Sequence, residues 1–520
     1  MISIANINMP LDYTKEDLLK KCAKLLHVKE SDILKIELLK KSLDARKKDN
    51  LLFVLKVDIE LKKGVSYNKN VAISSKKLEF KVPLSNKDQK IMIVGSGPAG
   101  LFSGLILALS GLNPIIIERG EDVDNRVESI NNYFNKGIFD KGSNTIFGEG
   151  GAGTFSDGKL TTNLNDPYIR FILEQFVECG ANEEILYQAK PHIGTDVLVK
   201  VVKNLRQKII ALGGEFRFNS TLMDIDILDG RVNKAIIKYQ DEIYEENVDG
   251  LILAIGHSAR DTFEMLFRKG VHMEQKAFSM GVRIEHKQEM INKAQYGRFF
   301  DSKYLGAADY KLATHLENGR GVYTFCMCPG GVVIPANSEE EMICVNGMSY
   351  HARDKENSNS ALLVEVKPED FGSVHPLAGI YFQQKYERLA YMVDNSYKAP
   401  VQLVGDFLLH KPSSEIKDVK PSYPLGYVLT DLHQILPDFV SESLEKGIIA
   451  FDHKIKGFAQ PTAVMTGIET RSSSPVRLLR DDEYQCNYQG IYPIGEGAGY
   501  AGGITSAALD GIHCALKILE

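Results

Sequence analysis

Apolar residues occur in short runs separated by glycine, proline and polar residues, and this pattern predicts alternating strands and helices. A run at 91–94 precedes a glycine-rich turn, and apolar helix-forming residues then occupy 101–109. Asn113 and Pro114 separate this segment from a second apolar run at 115–117. The order predicts a buried strand, a turn, a buried helix and a second strand parallel to the first.

The turn after the first strand has the glycine spacing G-x-G-x-x-G. The first glycine permits a tight turn, the second lets a pyrophosphate approach the backbone, and the third lets helix pack on strand. The N–H groups at the helix start favour an anion. Glu118 lies 18 residues after the last glycine, where a carboxylate can accept both hydrogen bonds of an adenosine ribose. The residues expected to bind a dinucleotide are Gly95, Gly97, Pro98, Ala99, Gly100, Glu118 and Arg119.

Two further segments repeat this glycine spacing. Residues 490–505 contain an apolar run and a glycine turn, and an apolar helix is predicted at 506–519. No second strand follows that helix in the sequence, so the segment predicts a strand–turn–helix and not a second nucleotide fold. The third match, at 148–153, has no strand before it and no apolar helix after it. We therefore expect a polar glycine loop there.

One βαβ unit and a distant Gly-Glu-Gly turn at 495–497 resemble FAD domains of the glutathione-reductase type, in members with a single nucleotide fold. Across about 1–520 the chain also resembles an uncharacterised family of bacterial FAD-dependent dehydrogenases. The stretches that carry this second resemblance are 150–160, 190–196, 254–261, 324–331 and 470–477. In the superfamily the acidic residue of the C-terminal turn holds the ribityl chain, and the next helix faces the flavin.

The resemblance implies non-covalent FAD and leaves the substrate open. The further residues that it implies for FAD binding are Gly151, Gly153, Thr154, Ser156, Asp157, Gly158, Ala254, Gly256, Gly495, Glu496, Gly502, Gly503 and Ile504.

The expected fold class combines α/β and α+β architecture. A Rossmann-type FAD/NAD(P)-binding domain would comprise 89–261 and 485–520, with a mixed α+β substrate domain inserted at 262–484. Such an insertion normally forms the roof over the flavin, and so the substrate site. Residues 1–85 predict a small ferredoxin-like α/β module of β-α-β-β order, whose helix has a capping signature at 14–17.

Charge is distributed unevenly between this module and the rest of the chain. Residues 1–85 contain 18 Lys and Arg against 11 Asp and Glu, a net charge of +7, whereas the remainder carries −13. A basic module on an acidic body suits RNA, an acidic partner protein, or contact between the two parts. A solvated basic face is the simplest interpretation.

Composition describes a globular chain, with 44% hydrophobic and 25% charged residues among 520. No apolar stretch approaches the roughly 18 residues that a membrane span needs, and the first residues do not resemble a signal peptide. Seven dispersed cysteines then indicate thiols in a reducing cytoplasm. We expect a cytoplasmic enzyme that acts on a small molecule away from membranes, and no motif indicates an oligomeric state.

Lys159 and the Cys326-Met-Cys328 segment are the first candidates for chemistry beside the flavin. Lys159 suits the balancing of negative charge at the reduced ring's N1–C2=O side; alternatively, it is only exposed. In an extended strand the two thiols would share a face, too far apart for an unstrained disulfide, unless the Pro-Gly-Gly that follows turns the chain there. The two thiols can be packed small residues, thiols beside the flavin, or metal ligands. Because no second closely spaced cysteine pair lies nearby, we predict no metal site here.

His257 and a pair of arginines are further candidates. His257 either contacts the cofactor and gates the substrate, or belongs to a polar loop containing an Arg260–Asp261 pair. Arg471 and Arg477 suit a carboxylate or phosphate, which is either a ligand or an internal Asp or Glu.

The leading hypothesis is an FAD-dependent oxidoreductase that transfers hydride between the flavin and a small substrate or NAD(P)H. The absence of C-x-x-C and of a second nucleotide fold argues against disulfide reduction. One alternative is an FAD-dependent RNA-modifying enzyme whose basic module holds RNA. Another is a non-enzymatic protein in which FAD is structural or senses redox state.

Overall fold

A computed structural model describes residues 1–71, 73–74 and 80–520. The predicted module at 1–85 therefore includes residues 72 and 75–79, which lie outside the described residues. The elements of this module are β1 (Ile2–Met9), α1 (Lys15–Leu26), β2 (Ile33–Asp44), β3 (Leu52–Leu61) and β4 (Ile73–Ser74). Their antiparallel sheet has the order β2-β3-β1-β4. Thr14 and Asp17 form the predicted capping box, with hydrogen bonds of 2.9 and 3.1 Å.

The basic module contacts the body of the protein. Lys41 exchanges backbone hydrogen bonds with Tyr187 and Ala189, and these are 2.6 and 2.9 Å long. Arg298 of the body donates to the Asp49 carbonyl at 2.6 Å. Contact between the two parts, one of the alternatives raised by the charge distribution, therefore involves residues of the basic strands and their turn.

The next part of the chain contains the predicted βαβ unit. Its elements are β5 (Ile91–Val94), α2 (Pro98–Leu109), β6 (Ile115–Ile117), α3 (Val123–Lys136), α4 (Tyr168–Glu178), α5 (Thr195–Ala211), β7 (Glu215–Arg217), β8 (Ser220–Leu228), β9 (Arg231–Tyr239), β10 (Glu242–Asn247), β11 (Gly250–Leu253) and α6 (Arg260–Arg268).

The segment that follows forms most of a second large sheet. Its elements are β12 (Met273–Gln275), β13 (Phe278–Lys287), α7 (Gln288–Tyr296), β14 (Ala313–His315), β15 (Gly321–Cys328), β16 (Val332–Pro335), β17 (Val345–Met348), β18 (Asn357–Val366), α8 (Ala378–Met392), β19 (Ala399–Leu403), α9 (Val404–Leu408), β20 (Tyr427–Leu429), α10 (Asp438–Asp452), β21 (Val464–Glu469) and β22 (Val476–Leu478). The last elements are β23 (Ile491–Pro493) and α11 (Ile504–Leu519). Short 3₁₀ helices include Gly151–Phe155 and Leu432–Gln434.

The nucleotide-type sheet is parallel and has the order β23-β11-β5-β6-β7. The predicted parallel pairing of β5 with β6 is confirmed. Two glycines allow close packing around this sheet: an added Cβ would lie 2.4 Å from the Ala254 carbonyl oxygen at Gly95, and 2.2 Å from that of Ala99 at Gly511. Gly95 therefore packs its turn against the end of β11, and Gly511 lets α11 lie directly on α2.

One predicted strand is corrected by the structure. The apolar pattern predicts meander strands at 215–227 and 231–239 with a turn at Asp229 and Gly230 between them. In the structure, however, β7 joins the parallel sheet and β8 pairs with β9 in a separate antiparallel sheet. Asn219, with a φ of +52°, lies in the break between the two strands. The predicted turn at Asp229 and Gly230 is confirmed, and both residues have positive φ, as a tight hairpin turn requires.

The inserted sheet has seven strands in the order β14-β15-β18-β13-β21-β19-β20. All its pairs are antiparallel except β19 with β20. The central strands β13, β18 and β21 are almost entirely buried, because helices such as α10 cover the sheet. No helix among the described residues is long and apolar enough to cross a bilayer.

Candidate functional site

A groove with a cavity volume of about 350 Å³ lies between the parallel sheet and the inserted sheet. Glycine turns after β5 and β23, the loop at 148–153 and the end of β11 form one part of its wall. The predicted cofactor-binding and catalytic residues line it except Gly100, Thr154, Asp157 and Cys328, which lie behind the surface. Of the two candidate arginines, Arg471 lines the groove and Arg477 does not. Contact between these residues and a cofactor stays a prediction.

At the glycine-lined end of the groove, the missing side chains leave open space next to the backbone. An added Cβ at Gly97 would meet no atom closer than 3.9 Å, and at Gly502 or Gly503 none within 4 Å. The first turns of α2 and α11 also face this space, since Pro98 and Ile504 line it. Two helix N-termini beside backbone unobstructed by side chains fit the pyrophosphate of a dinucleotide.

Glu118 differs from the sequence expectation in its hydrogen bonds. Its carboxylate is buried and accepts from Ser96 N and Oγ at 2.9 Å each, and from Gly120 N and Gly148 N at 3.0 and 3.1 Å. Four donors occupy the roughly four acceptor sites of a carboxylate. In this arrangement Glu118 ties the first glycine turn to the glycine loop; its predicted contact with a ribose stays a prediction.

A buried arginine that sequence reasoning missed shapes the glycine loop. Arg126 of α3 is fully buried and donates to the carbonyls of Asn144, Glu149 and Gly151 at 2.8, 2.7 and 2.9 Å. Burial lowers the pKa of its guanidinium to about 10, which leaves it charged at neutral pH. The loop's carbonyls turn towards Arg126 because burying the unpaired charge would be costly.

Lys159 is held at the groove by a buried carboxylate. Its ammonium lies 2.6 Å from Asp157 Oδ2 and also contacts the Met327 carbonyl. Asp157 receives a bidentate pair of bonds from Arg353 at 2.9 and 2.6 Å and a bond from Ser349. Although burial alone would lower the pKa of Lys159, attraction to Asp157 outweighs it and raises that pKa. Lys159 therefore presents a fixed positive charge, and Asp157 positions it from behind the surface.

The two cysteines do not occupy an ordinary extended strand. The register of β15 against β18 shifts between Phe325 and Cys328, and Cys326 has a φ of +42°. This irregularity directs Cys326 to the groove, whereas Cys328 is buried and its thiol contacts the Cys326 carbonyl at 3.3 Å. A hydrogen bond from Cys328, with the charges of Lys159 and Arg283, lowers the pKa of Cys326, so Cys326 is the more acidic thiol of the pair.

Arg283 and Glu469 lie beside the cysteines, and no motif or spacing in the sequence indicates either residue. Arg283 of β13 is fully buried; it donates to Glu469 at 3.0 and 3.2 Å and to the Cys326 carbonyl at 2.6 Å. Glycine is required at position 347, where a Cβ would lie 2.2 Å from the Arg283 guanidinium. Burial raises the pKa of Glu469 to about 7 despite the attraction of Arg283. Glu469 lines the groove and can therefore exchange a proton near neutral pH.

His257 and Glu496 lie across the groove from this cluster. The His257 imidazole is 3.7 Å from the Glu496 carboxylate. Burial, with the positive charges of Arg471 and Arg260, lowers the pKa of His257 to about 3, so the ring is neutral. Burial raises the pKa of Glu496 to about 7.

The arginine pairs differ from those predicted. Arg260 does not pair with Asp261, because its guanidinium is buried against Glu387 at 2.8 and 3.0 Å, while Asp261 pairs with Arg119. Arg471 also binds Glu387, at 2.7 and 3.0 Å. The anion recognised by Arg471 is thus an internal carboxylate, which is one of the two alternatives left open by the sequence.

Two family models match parts of the chain. Residues 277–472, most of the inserted region, match a family described as "FAD-dependent protein, C-terminal domain-like". Residues 1–60 match a domain of unknown function. The inserted region is therefore similar to the C-terminal domain of FAD-dependent proteins, and it lies beside the parallel sheet and the glycine-lined groove.

A relative from Clostridium beijerinckii, described as an uncharacterized protein, is 48% identical over 100% of this chain and 98% of its own length. The protein therefore belongs to the same family as that relative.

Solved structures show only distant likeness. The E. coli quinol fumarate reductase subunit FrdA is 11% identical, with 83% of this chain and 70% of that chain covered, at a TM-score of 0.37. A Rhodococcus jostii 3-ketosteroid-Δ4-(5α)-dehydrogenase is 11% identical, with 85% and 100% covered, at a TM-score of 0.36. At these TM-scores the likeness carries no argument about activity, and the glutathione-reductase-type subclass stays a prediction.

Proposed function

We propose that the protein is an oxidoreductase that binds FAD non-covalently in the groove. The glycine turns and the N-termini of α2 and α11 would hold the nucleotide and pyrophosphate. The end lined by Lys159, Cys326 and Glu496 would contact the flavin ring and the substrate. The observation that supports this most directly is the run of unobstructed glycine backbone at Gly97, Gly502 and Gly503 beside two helix N-termini.

Bound FAD supplies two-electron redox chemistry, and the side chains around the groove supply charge and protons. Lys159 would stabilise negative charge on a reduced ring because Asp157 fixes its ammonium at the groove. Glu469 would donate a proton to the substrate or accept one from it, since its pKa of about 7 matches neutral pH. Cys326 would place the more acidic thiol next to the reacting groups.

The hydride would pass between a small substrate, or NAD(P)H, and the flavin. Among the described residues only one complete βαβ nucleotide unit is present, so NAD(P)H would have to enter at the side-chain-lined end of the same groove. No observation on the described basic residues favours the RNA-modifying alternative, and several of them contact the body of the protein instead.

A spectroscopic experiment tests the proposal. The purified protein, or the protein reconstituted with FAD, should show flavin absorption bands that bleach when it is mixed anaerobically with NADH or NADPH. Bleaching by one of them would identify the donor, while bands that respond to neither would restrict the hydride donor to another small substrate. Failure to take up FAD under any condition would overturn the proposal.

A further inference from the structure

Two histidines and a glutamate meet on the inserted domain, outside the groove. His410 follows α9, His433 lies in the 3₁₀ helix Leu432–Gln434, and Glu445 belongs to α10. The Nε2 atoms of His433 and His410 are 3.0 and 3.2 Å from Glu445 Oε1. The two imidazole rings are stacked, with centroids 4.5 Å apart. Three separate segments thus bring two imidazoles and one carboxylate together near the surface.

The spacing of these atoms suits a tetrahedral metal ion. One ligand atom from each of the three residues lies within 4.8 Å of the other two. Zinc bonds of about 2.0–2.1 Å to nitrogen and oxygen place tetrahedral ligand atoms about 3.3 Å apart. The two distances to Glu445 already have nearly this value, and the exposed His410 ring would turn out of its stack on His433 to complete the geometry.

The orientation of His433 is a second, independent sign of a metal site. Its Nδ1 lies 2.7 Å from Asp431 Oδ1, and its ring stacks on the buried Phe407 at 4.3 Å. A carboxylate on the far nitrogen fixes ring and tautomer, so that Nε2 is the atom presented to Glu445.

We propose that His410, His433 and Glu445 bind a zinc(II) ion, with the remaining coordination position taken by water. Two imidazoles and one carboxylate suit zinc and neighbouring transition metals better than calcium or magnesium. The ion would join the turn after α9 to α10. The local sequence predicts no metal because the three ligands are spread over residues 410–445 without a metal-binding spacing.

Zinc titration of the full-length, tag-free protein tests the site. After treatment with a chelator and its removal, the protein should bind one equivalent of zinc in a calorimetric titration, and its melting temperature should rise. His410→Ala should weaken binding at least tenfold with little effect on folding, since the His410 side chain is 62% exposed. His315→Ala is the matched control, an exposed histidine on the opposite edge strand of the same sheet.

Two further variants separate a built site from chance surface binding. Glu445→Gln should reduce affinity like His410→Ala, and Asp431→Asn should weaken binding about 10–100-fold without removing a ligand. Cobalt(II) in place of zinc should give the intense visible bands of four-coordinate geometry in the wild type and lose them in His410→Ala. No stoichiometric binding, or affinity unchanged in all of these variants, would overturn the proposal. Flavin absorption is a separate readout, so this result is independent of the proposed redox function.

Discussion

The two ends of the groove are constructed differently. At the glycine-lined end the backbone forms the surface, and a side chain at Gly97 or Gly503 would project into open space. At the other end, side chains on different strands form the surface, and Arg283 joins Glu469 to Cys326. A backbone surface depends on local conformation, whereas a side-chain cluster depends on how strands are arranged. The first can be inferred from residue spacing, and the second requires the fold.

The largest effect should come from filling the backbone-built end. Gly97→Val should abolish FAD retention, with affinity at least 100-fold lower, while the protein folds normally. Gly97 has an extended backbone conformation, which valine can adopt. The nearest atom to an added Cβ, the Gly151 Cα, is 3.9 Å away. The valine side chain would therefore fill the groove without clashing with the protein. The ratio of flavin to protein absorbance and the melting temperature measure the two effects.

Gly306→Val is the control for this change, because Gly306 is exposed, lies outside the groove and has no atom within 4 Å of an added Cβ. A Gly97→Val protein that retains its full complement of FAD would refute backbone recognition at this end.

The next effect should come from the side-chain-built end. Glu469→Gln should retain FAD but reduce the rate of flavin reduction by about 100-fold, within the range attributed to a positioned acid or base. The wild-type rate should depend on pH with a midpoint near 7, and this dependence should disappear in the variant. If the variant keeps the same midpoint, proton exchange belongs to another group, such as Glu496.

The same residue predicts a pH dependence of stability. Burial raises the pKa of Glu469 from its usual value near 4.5 to about 7 in the folded protein, so folding favours the protonated form. Its contribution to stability is complete below about pH 4.5 and is lost as pH rises through about 7. The unfolding free energy of the wild type, measured against Glu469→Gln in denaturant titrations, should fall across that window. A constant difference would place the true pKa elsewhere.

A smaller effect is expected from Glu118→Ala. Buried donors of Ser96, Gly120 and Gly148 would lose their acceptor, and unmade bonds of this kind cost about 1–3 kcal/mol each. With partial relaxation we expect about 2 kcal/mol less stability and about 30-fold weaker FAD binding. Glu128→Ala, which removes an exposed carboxylate of α3, is the control. Weaker FAD binding with unchanged stability would instead indicate a direct contact between Glu118 and the ribose.

The smallest effect is expected for charge at the flavin end. Lys159→Met should lower the flavin reduction potential by about 30 mV, which corresponds to a tenfold change for a two-electron couple. The expected cause is loss of a positive charge that Asp157 fixes at the groove. Lys159→Arg should preserve most of the potential. If redox-dye titrations gave equal potentials for all three proteins, the Lys159 ammonium would not interact with the flavin ring.

Most of the glycine-lined end could be predicted from the sequence, because glycine spacing and apolar runs are visible locally even where a glycine contacts a distant strand, as Gly95 does. The βαβ unit, the glycine loop and the final strand–turn–helix were all found from spacing and apolar runs, and their glycines line one groove. The exception is Glu118, whose position was predicted but whose partners were not. Its four donors come from residues 96–148, and spacing does not reveal which of them turn towards a carboxylate.

The other end could not be predicted because its contacts join distant segments. Asp157 pairs with Arg353, and Arg283 pairs with Glu469, which lies 186 residues away. An isolated arginine or glutamate in a strand has no periodicity that marks it as buried. Cys326 was named, but the irregularity that separates it from Cys328 depends on pairing with β18.

The position of β23 has a consequence for how the protein is made. This strand completes the sheet edge beside β11, and α11 then lies directly on α2. About 400 residues separate β5 from β23, which at 5–20 residues per second amounts to roughly 20–80 s of translation. During that interval the first glycine turn has been synthesised, but β23 and α11, which complete its side of the groove, have not. Pulse-labelled nascent chains released before residue 491 should therefore fail to retain flavin, and cofactor loading becomes a late event in the protein's biogenesis.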